Sequence, residues 1–229
     1  MMDIIIFSGQ SNMQGQCECL SNTNPVKNAF EYKFLDDEIV PHKNPVGENI
    51  TYDRKNGFQP TKAGDSRIWL SQHITGNSCD GNTNLVPEFC RAYTDVTQKQ
   101  VLAVHIAKGS TEISYWLPQE EGYSIIVDKT NAAIKKVKQN QNVGKIYFVW
   151  LQGESDAIKG NTKKYYKNKL RELCDALKDD LGLEKFGIIR VGRFTNDDRD
   201  LEIISAQDEM CAENDNFLML TDIATTLNT

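Results

Sequence analysis

Serine 11 lies in the run Ser8-Gly9-Gln10-Ser11-Asn12-Met13-Gln14-Gly15, directly behind a short apolar stretch. A serine hydroxyl becomes an effective nucleophile only with a base beside it and with donors fixed where an oxyanion will form. Two later segments offer parts of that kind. Lys108-Gly109-Ser110-Thr111 has a glycine whose backbone N–H can come close to a reacting carbonyl, and Gln152-Gly153-Glu154-Ser155-Asp156 carries an amide and two carboxylates. A hydroxyl, glycine-flanked N–H donors, an amide and an acid are the components of an acyl-transfer site. A Ser-, Asn- and Gly-rich loop also holds phosphate on backbone N–H groups, as in a flavodoxin-like cofactor carrier. Polar residues can also simply solvate loops. Gly109 and the Gly153–Glu154 pair favour acyl transfer, because a phosphate loop needs neither.

These segments have to be positioned by a scaffold. Residues 3–8, 101–107, 145–151, 186–192 and 217–221 are apolar without polar alternation, the pattern of strands covered on both faces. Between them run helical periodicities. The clearest is Tyr166, Leu170, Leu173, Leu177 and Leu181, closed by Gly182 as a C-cap; others cover 86–97 and 124–140. Alternating strands and helices predict an α/β class with a central parallel sheet of about five strands. Residues 17–84 break the rhythm with many Asn, Asp, Gly and Thr, and the reading allows at most one further strand there, in "EYKFLDD". Such a long insert suits a site-covering loop region. Ligands of open parallel sheets bind at the C-terminal ends of the strands. Ser11, Gly109 and Gln152–Glu154 all follow strand ends, as do Arg193 and Asn196 after the fourth strand and Asp222 after the fifth.

The 229 residues suit one domain, 1–229, with a sizeable core. A net charge of −6 with no continuous basic block argues against nucleic acid as a partner. The apolar runs fall far short of the roughly 20 residues that cross a bilayer. Met1 and Met2 lead into "DIIIFS" without a signal-peptide pattern, which predicts a cytoplasmic protein, or a secreted one if a leader has been removed. The six cysteines form no C-x-x-C pair and read as reduced thiols or core fillers, with no metal site.

"FSGQSNMQG", "AKGSTEISYW" and "VWLQGESDA", in this order, resemble the sialic-acid-acetylesterase-like branch of the SGNH hydrolases, which includes the acetylxylan esterases of carbohydrate esterase family six. "NLVPEF" is similar to the segment that leads into the family's second helix. The resemblance implies a three-layer flavodoxin-like fold, hydrolysis of O-acetyl esters on carbohydrates and no cofactor. It implies Ser11 as nucleophile and the N–H groups of Ser11 and Gly109 as oxyanion donors. Gln152 would stand near a third donor position, and Glu154 would be the acid that orients a catalytic histidine. Around this set, Gln10 and Asn12 brace the loop or reach substrate, and Trp116 stacks on a sugar or packs. Arg193 meets a carboxylated sugar or pairs with Asp197 or Asp198, and Asp156 is expected as a helix N-cap.

The family's base is a histidine in a final block, followed by a closing helix. Here "NFLMLTDIATTLNT" carries neither, so the C-terminal edge of the sheet is expected to be incomplete. The three histidines are His42, His73 and His105; His105 is expected to pack within a strand, and His42 and His73 to be surface or loop residues. Three explanations stand open: a piece of a longer esterase, a substitute base from His73 or His42, or a module that binds acetylated glycans without turnover.

Overall fold

The computed structural model describes residues 1–15, 22–48, 50–53, 56–60 and 83–226; His73, Cys17, Cys19 and Cys79 lie outside them. The chain opens with β1 (Met2–Gly9), a one-turn α1 (Ser11–Gln14), β2 (Ala29–Lys33), β3 (Glu38–Pro41), β4 (Ile50–Asp53) and β5 (Gly57–Pro60). There follow α2 (Val86–Thr97), β6 (Gln100–Ala107), α3 (Glu121–Lys138), β7 (Val143–Leu151), α4 (Glu154–Lys159) and α5 (Lys163–Leu181). The described chain closes with β8 (Lys185–Ile189), α6 (Arg199–Glu213) and β9 (Phe217–Thr221). The main sheet has seven strands in the order β3-β2-β6-β1-β7-β8-β9, parallel except for the β2–β3 hairpin. Helices cover both faces.

All five expected strands form, but the sheet has seven, and the described residues of the insert hold four strands rather than one: the β2–β3 hairpin on the main sheet and the separate β4–β5 pair. Their sequences are too polar and short to register as buried runs. Between the fourth and fifth expected strands the sequence reading names no helix, yet α6 is there. Its inward positions include Asp200 and Gln207 beside Ile203, Ile204 and Met210, so polar residues interrupt the apolar stripe. The parallel pairing of β8 and β9 demands a crossover in any case.

β1 is the centre of the sheet. Ile4, Ile5, Ile6 and Phe7 are fully enclosed, as a strand covered on both faces must be. On β7 the side chains alternate: Tyr147 faces Tyr93 of α2, while Trp150 meets Trp116 edge-on at 5.6 Å on the other face. α5 runs as its periodicity predicts, with Thr162 accepting from the Tyr165 N–H at its start and Gly182 in the left-handed conformation at its end. β9 is an edge strand. On the α2 side, Leu218 and Leu220 border an open apolar groove of about 250 Å³ shared with Tyr93, Tyr147 and Val149.

The register places the functional loops. Gly9 pairs with Ala107 of β6 and Leu151 of β7, so three neighbouring strands end level with one another. The direction of chain progression also reverses at β1, with β6 on one side and β7, β8 and β9 on the other. That is where an open parallel sheet offers a crevice.

Candidate active site

Ser11 begins α1, two residues after the end of β1. The turn closes through Gln14 N–H to Gln10 C=O at 2.8 Å and Gly15 N–H to Ser11 C=O at 3.0 Å. Gly9 lets the chain leave the strand. Its φ is +146°, and a Cβ there would lie 2.0 Å from the Leu151 carbonyl oxygen. Only a glycine permits this approach of β1 to β7. Gln10 N–H then donates to that same carbonyl at 3.1 Å.

Gly109 stands beside the serine. A Cβ built on it would lie 3.7 Å from Ser11 Cβ and 3.9 Å from Ser11 Cα, which sets the Gly109 backbone against the serine. Its N–H points to the side-chain oxygen of Gln14, Oε1, at 2.9 Å.

From the third strand end, Glu154 reaches back toward the first. Asn12 donates its amide to Glu154 Oε1 at 2.7 Å, while Oε2 is buried without a hydrogen-bond partner. Burial raises the pKa of this carboxyl above its usual value; the Asn12 bond and neighbouring backbone N–H groups oppose the rise without cancelling it. Asn12 and Glu154 line a cavity of about 330 Å³ with Leu151, Val191, Gly192 and Phe194. No histidine lines it among the described residues.

The remaining polar groups hold the three loops together. Gln10 is buried, and its side-chain oxygen accepts from Ser155 N–H at 3.3 Å, so it braces. Gln152 was expected near a third oxyanion donor position, and its geometry corrects that. Its amide nitrogen donates to Thr111 C=O at 2.9 Å and Asp156 Oδ2 at 2.6 Å, and its oxygen accepts from the Tyr166 hydroxyl at 3.0 Å. Both N–H groups of the amide are committed, so Gln152 supports the loops and has no donor to spare for an oxyanion. Asp156 is no N-cap either: its carboxylate accepts from Gln152, from Ile113 N–H at 2.8 Å and from Asn161 at 2.7 Å. Burial raises the pKa of this group, and its three donors counter the rise.

Trp116 cannot stack on a sugar. It is fully enclosed, donates its indole N–H to Thr111 Oγ1 at 3.0 Å and packs on Trp150. Arg193 pairs with Asp198 at 3.3 Å and with buried Asp200 at 3.2 Å, which takes up the charge that a carboxylated sugar would need. Phe194, unflagged in the sequence, lines the cavity instead.

The two described histidines are interior. His105 lies in β6 with Nε2 2.9 Å from Met13 C=O, and burial pushes its pKa down to about 4, so it is neutral at ordinary pH. His42 was expected at the surface or in a loop. It follows β3 in a loop, but it is fully buried, with Nδ1 3.8 Å from Glu31. Burial alone would raise the Glu31 carboxyl, yet His42 and Lys33 outweigh it and hold the pKa down at about 2. Among the described residues no group of three or more His, Cys, Asp or Glu could hold a metal ion, and no helix is long and apolar enough to cross a membrane.

Comparison with known proteins adds to this geometry. A family model described as carbohydrate esterase, sialic acid-specific acetylesterase matches residues 1–226. No curated protein matches the chain. Among solved structures, a protein from Arabidopsis thaliana superposes with a TM-score of 0.65 at 19% identity, covering 95% of this chain and 84% of its own. NanS gives 0.66 at 15% identity, covering 96% of this chain and 78% of its own. A carbohydrate acetylesterase from Xanthomonas citri gives 0.50 at 13%, covering 94% of this chain and 48% of its own. At these identities the likeness is one of fold.

Proposed function

We propose, for a chain that belongs to the carbohydrate esterase, sialic acid-specific acetylesterase family and is a carbohydrate O-acetylesterase, that Ser11 is the nucleophile and Glu154 the acid of a Ser-His-acid site. Its substrate is an acetylated sugar of the sialic acid or xylan type. Ser11 Oγ attacks the acetyl carbonyl carbon and passes its proton to an imidazole. The tetrahedral oxyanion rests on the N–H groups of Ser11 and Gly109. Collapse breaks the bond to the sugar oxygen, which takes the proton from the imidazolium and leaves as the sugar hydroxyl. Water then attacks acetyl-Ser11 through the same base, releasing acetate and restoring the hydroxyl.

The observation that supports this reading most is the Glu154 carboxylate. Oε1 is held by Asn12, the neighbour of Ser11, while Oε2 is buried without a partner. A buried acceptor left open costs about 1–3 kcal/mol, a cost that an imidazole N–H would remove. The cavity walled by Asn12, Leu151, Val191 and Phe194 is the place where such a ring belongs in this reading. His105 Nε2 faces Met13 C=O, His42 lies buried with Nδ1 3.8 Å from Glu31, and neither lines this cavity, so neither is the base in this reading.

Acetate release from acetylated xylan and from O-acetylated sialic acid tests the proposal. Ser11→Ala abolishes it, and free imidazole speeds the wild-type chain if the cavity is open to an added ring. Hydrolysis that survives Ser11→Ala overturns the assignment.

A further inference from the structure

Ser11 and Gln14 are the first and last residues of α1, three positions apart and therefore on one face of its single turn. Both lie against Gly109. The serine presents its Cβ to the glycine, and Gln14 places Oε1 2.9 Å from the glycine N–H. A carbonyl oxygen thus already occupies a donor that an acyl oxygen would need, immediately beside the serine. A Cβ at 109 would lie 3.1 Å from Gln14 Oε1, so the Gln14 amide would have to give by a few tenths of an ångström to admit one. The Gln14 backbone is fixed independently of its amide, by N–H to Gln10 C=O and by Asn84 donating to its carbonyl at 3.4 Å. Its side chain can therefore swing without unwinding the turn.

We propose that Gln14 gates the site: its side-chain carbonyl closes the Gly109 donor in the resting enzyme, and the acyl oxygen must displace it. This rests on the reading of Ser11 as nucleophile. Gln14 is a positioning residue and makes no bond to the substrate. The exchange is selective on electrostatic grounds. A ground-state ester oxygen is a neutral acceptor like the amide it replaces, whereas the oxyanion is charged and bonds roughly twice as strongly to the same N–H. The gate therefore weakens acyl binding in the ground state and yields to the transition state. It raises KM and leaves kcat nearly unchanged, because it stabilises the free enzyme alone.

The test is the reaction of the full chain with a fluorophosphonate, in which Ser11 Oγ bonds to phosphorus, fluoride leaves and the serine proton passes to a base or to solvent. Its P=O oxygen takes the place of the acyl oxygen. Gln14→Met keeps the side-chain length and removes the acceptor. It strengthens reversible probe binding roughly two- to tenfold, as loss of one neutral competing hydrogen bond predicts, with the maximal labelling rate unchanged. Gln14→Glu puts a charged acceptor on the same N–H. It slows labelling below wild type at neutral pH, and the deficit relative to Gln14→Met closes as the new carboxyl is protonated. Labelling of Ser11 that is no tighter in Gln14→Met than in wild type, or a Gln14→Glu deficit indifferent to pH, overturns the gate alone. No Ser11 labelling in either protein, even with free imidazole supplied as the base, removes the nucleophile reading and the gate with it.

Discussion

Asn12 donates to Glu154 across 2.7 Å, so the neighbour of the proposed nucleophile is anchored to the proposed acid. The bond steadies α1 against the β7 end and lowers the pKa of a carboxyl that burial raises. Two variants separate these effects. A buried acid with a raised pKa favours the folded state when protonated, so its contribution falls as pH rises past the ordinary carboxyl value toward the raised one. Glu154→Gln, which needs no proton to be neutral, therefore raises the thermal midpoint at neutral pH, a gain that shrinks in acid. The same change lowers kcat by about 10³–10⁴-fold if Glu154 holds the imidazole, as loss of the acid does in other triads. Asn12→Ala lets the carboxyl pKa rise further, so the acid limb of the pH–rate profile moves to higher pH. An unmoved limb would separate Asn12 from the acid.

Trp116 supplies a contrast, because its effect is on stability. Its indole fills the space between Trp150 and the loop after β6 and caps Thr111. Trp116→Ala leaves a large cavity and costs about 3–5 kcal/mol in urea unfolding. Trp116→Phe costs less, and the folded fraction of each variant keeps the wild-type KM for acetylated sugars. A KM raised by Trp116→Phe at unchanged stability would restore a sugar contact.

The gap between the two readings of Trp116 illustrates what the chain's one-dimensional pattern carries. β1, β6, β7, β8 and β9 are legible because a strand buried on both faces is apolar throughout, and α5 because Tyr166 to Leu181 keep one stripe. Ser11, Gly109 and Glu154 are legible because each follows such a strand, and pairing of Gly9 with Ala107 and Leu151 makes those ends level. The hub of Gln152, Asp156, Tyr166 and Gln207 is not. Its members satisfy one another across β7, α4, α5 and α6, and a hydrogen bond between distant positions leaves no periodic trace. Asp200 and Gln207 hide α6 for the same reason: buried polar residues with partners look like exposed ones.

Gly9 and Gly160 both have positive φ, +146° and +81°, but they differ in what surrounds them. A Cβ on Gly9 would meet the Leu151 backbone at 2.0 Å; one on Gly160 meets nothing within 4 Å. Gly160→Ala therefore costs only the left-handed backbone, about 1 kcal/mol. Gly9→Ala forces β1 from β7 at the root of the Ser11 loop, costs more than about 2 kcal/mol and lowers activity in whatever protein remains folded. Equal melting temperatures for the two variants would mean that the β1–β7 approach is not tight.

Acid stability should follow His105 and Glu31. Burial depresses the His105 pKa from 6.5 to about 4, so between those values the unfolded chain binds more protons than the folded one. Stability from this group is complete above the unfolded value and is lost as pH falls from 6.5 through about 4, about 3 kcal/mol in all. Below that, Glu31 takes over. Despite burial, His42 and Lys33 hold its carboxyl down from 4.5 to about 2, so its contribution is lost as pH falls through that lower window. The groups facing this pair from β2, α3 and the loop before β4 include Lys33, Lys129 and Glu48, with Lys129 bonded to Glu48 at 2.7 Å. His105→Gln can keep a hydrogen bond to Met13 C=O and does not titrate. Urea unfolding across both windows should therefore lose its slope between 6.5 and about 4 in this variant and keep the steeper decline below. A variant whose stability still falls through the upper window as the wild type does would place the titrating group elsewhere, and Glu31→Gln would then have to remove the lower decline for the buried pair to retain any part in acid unfolding.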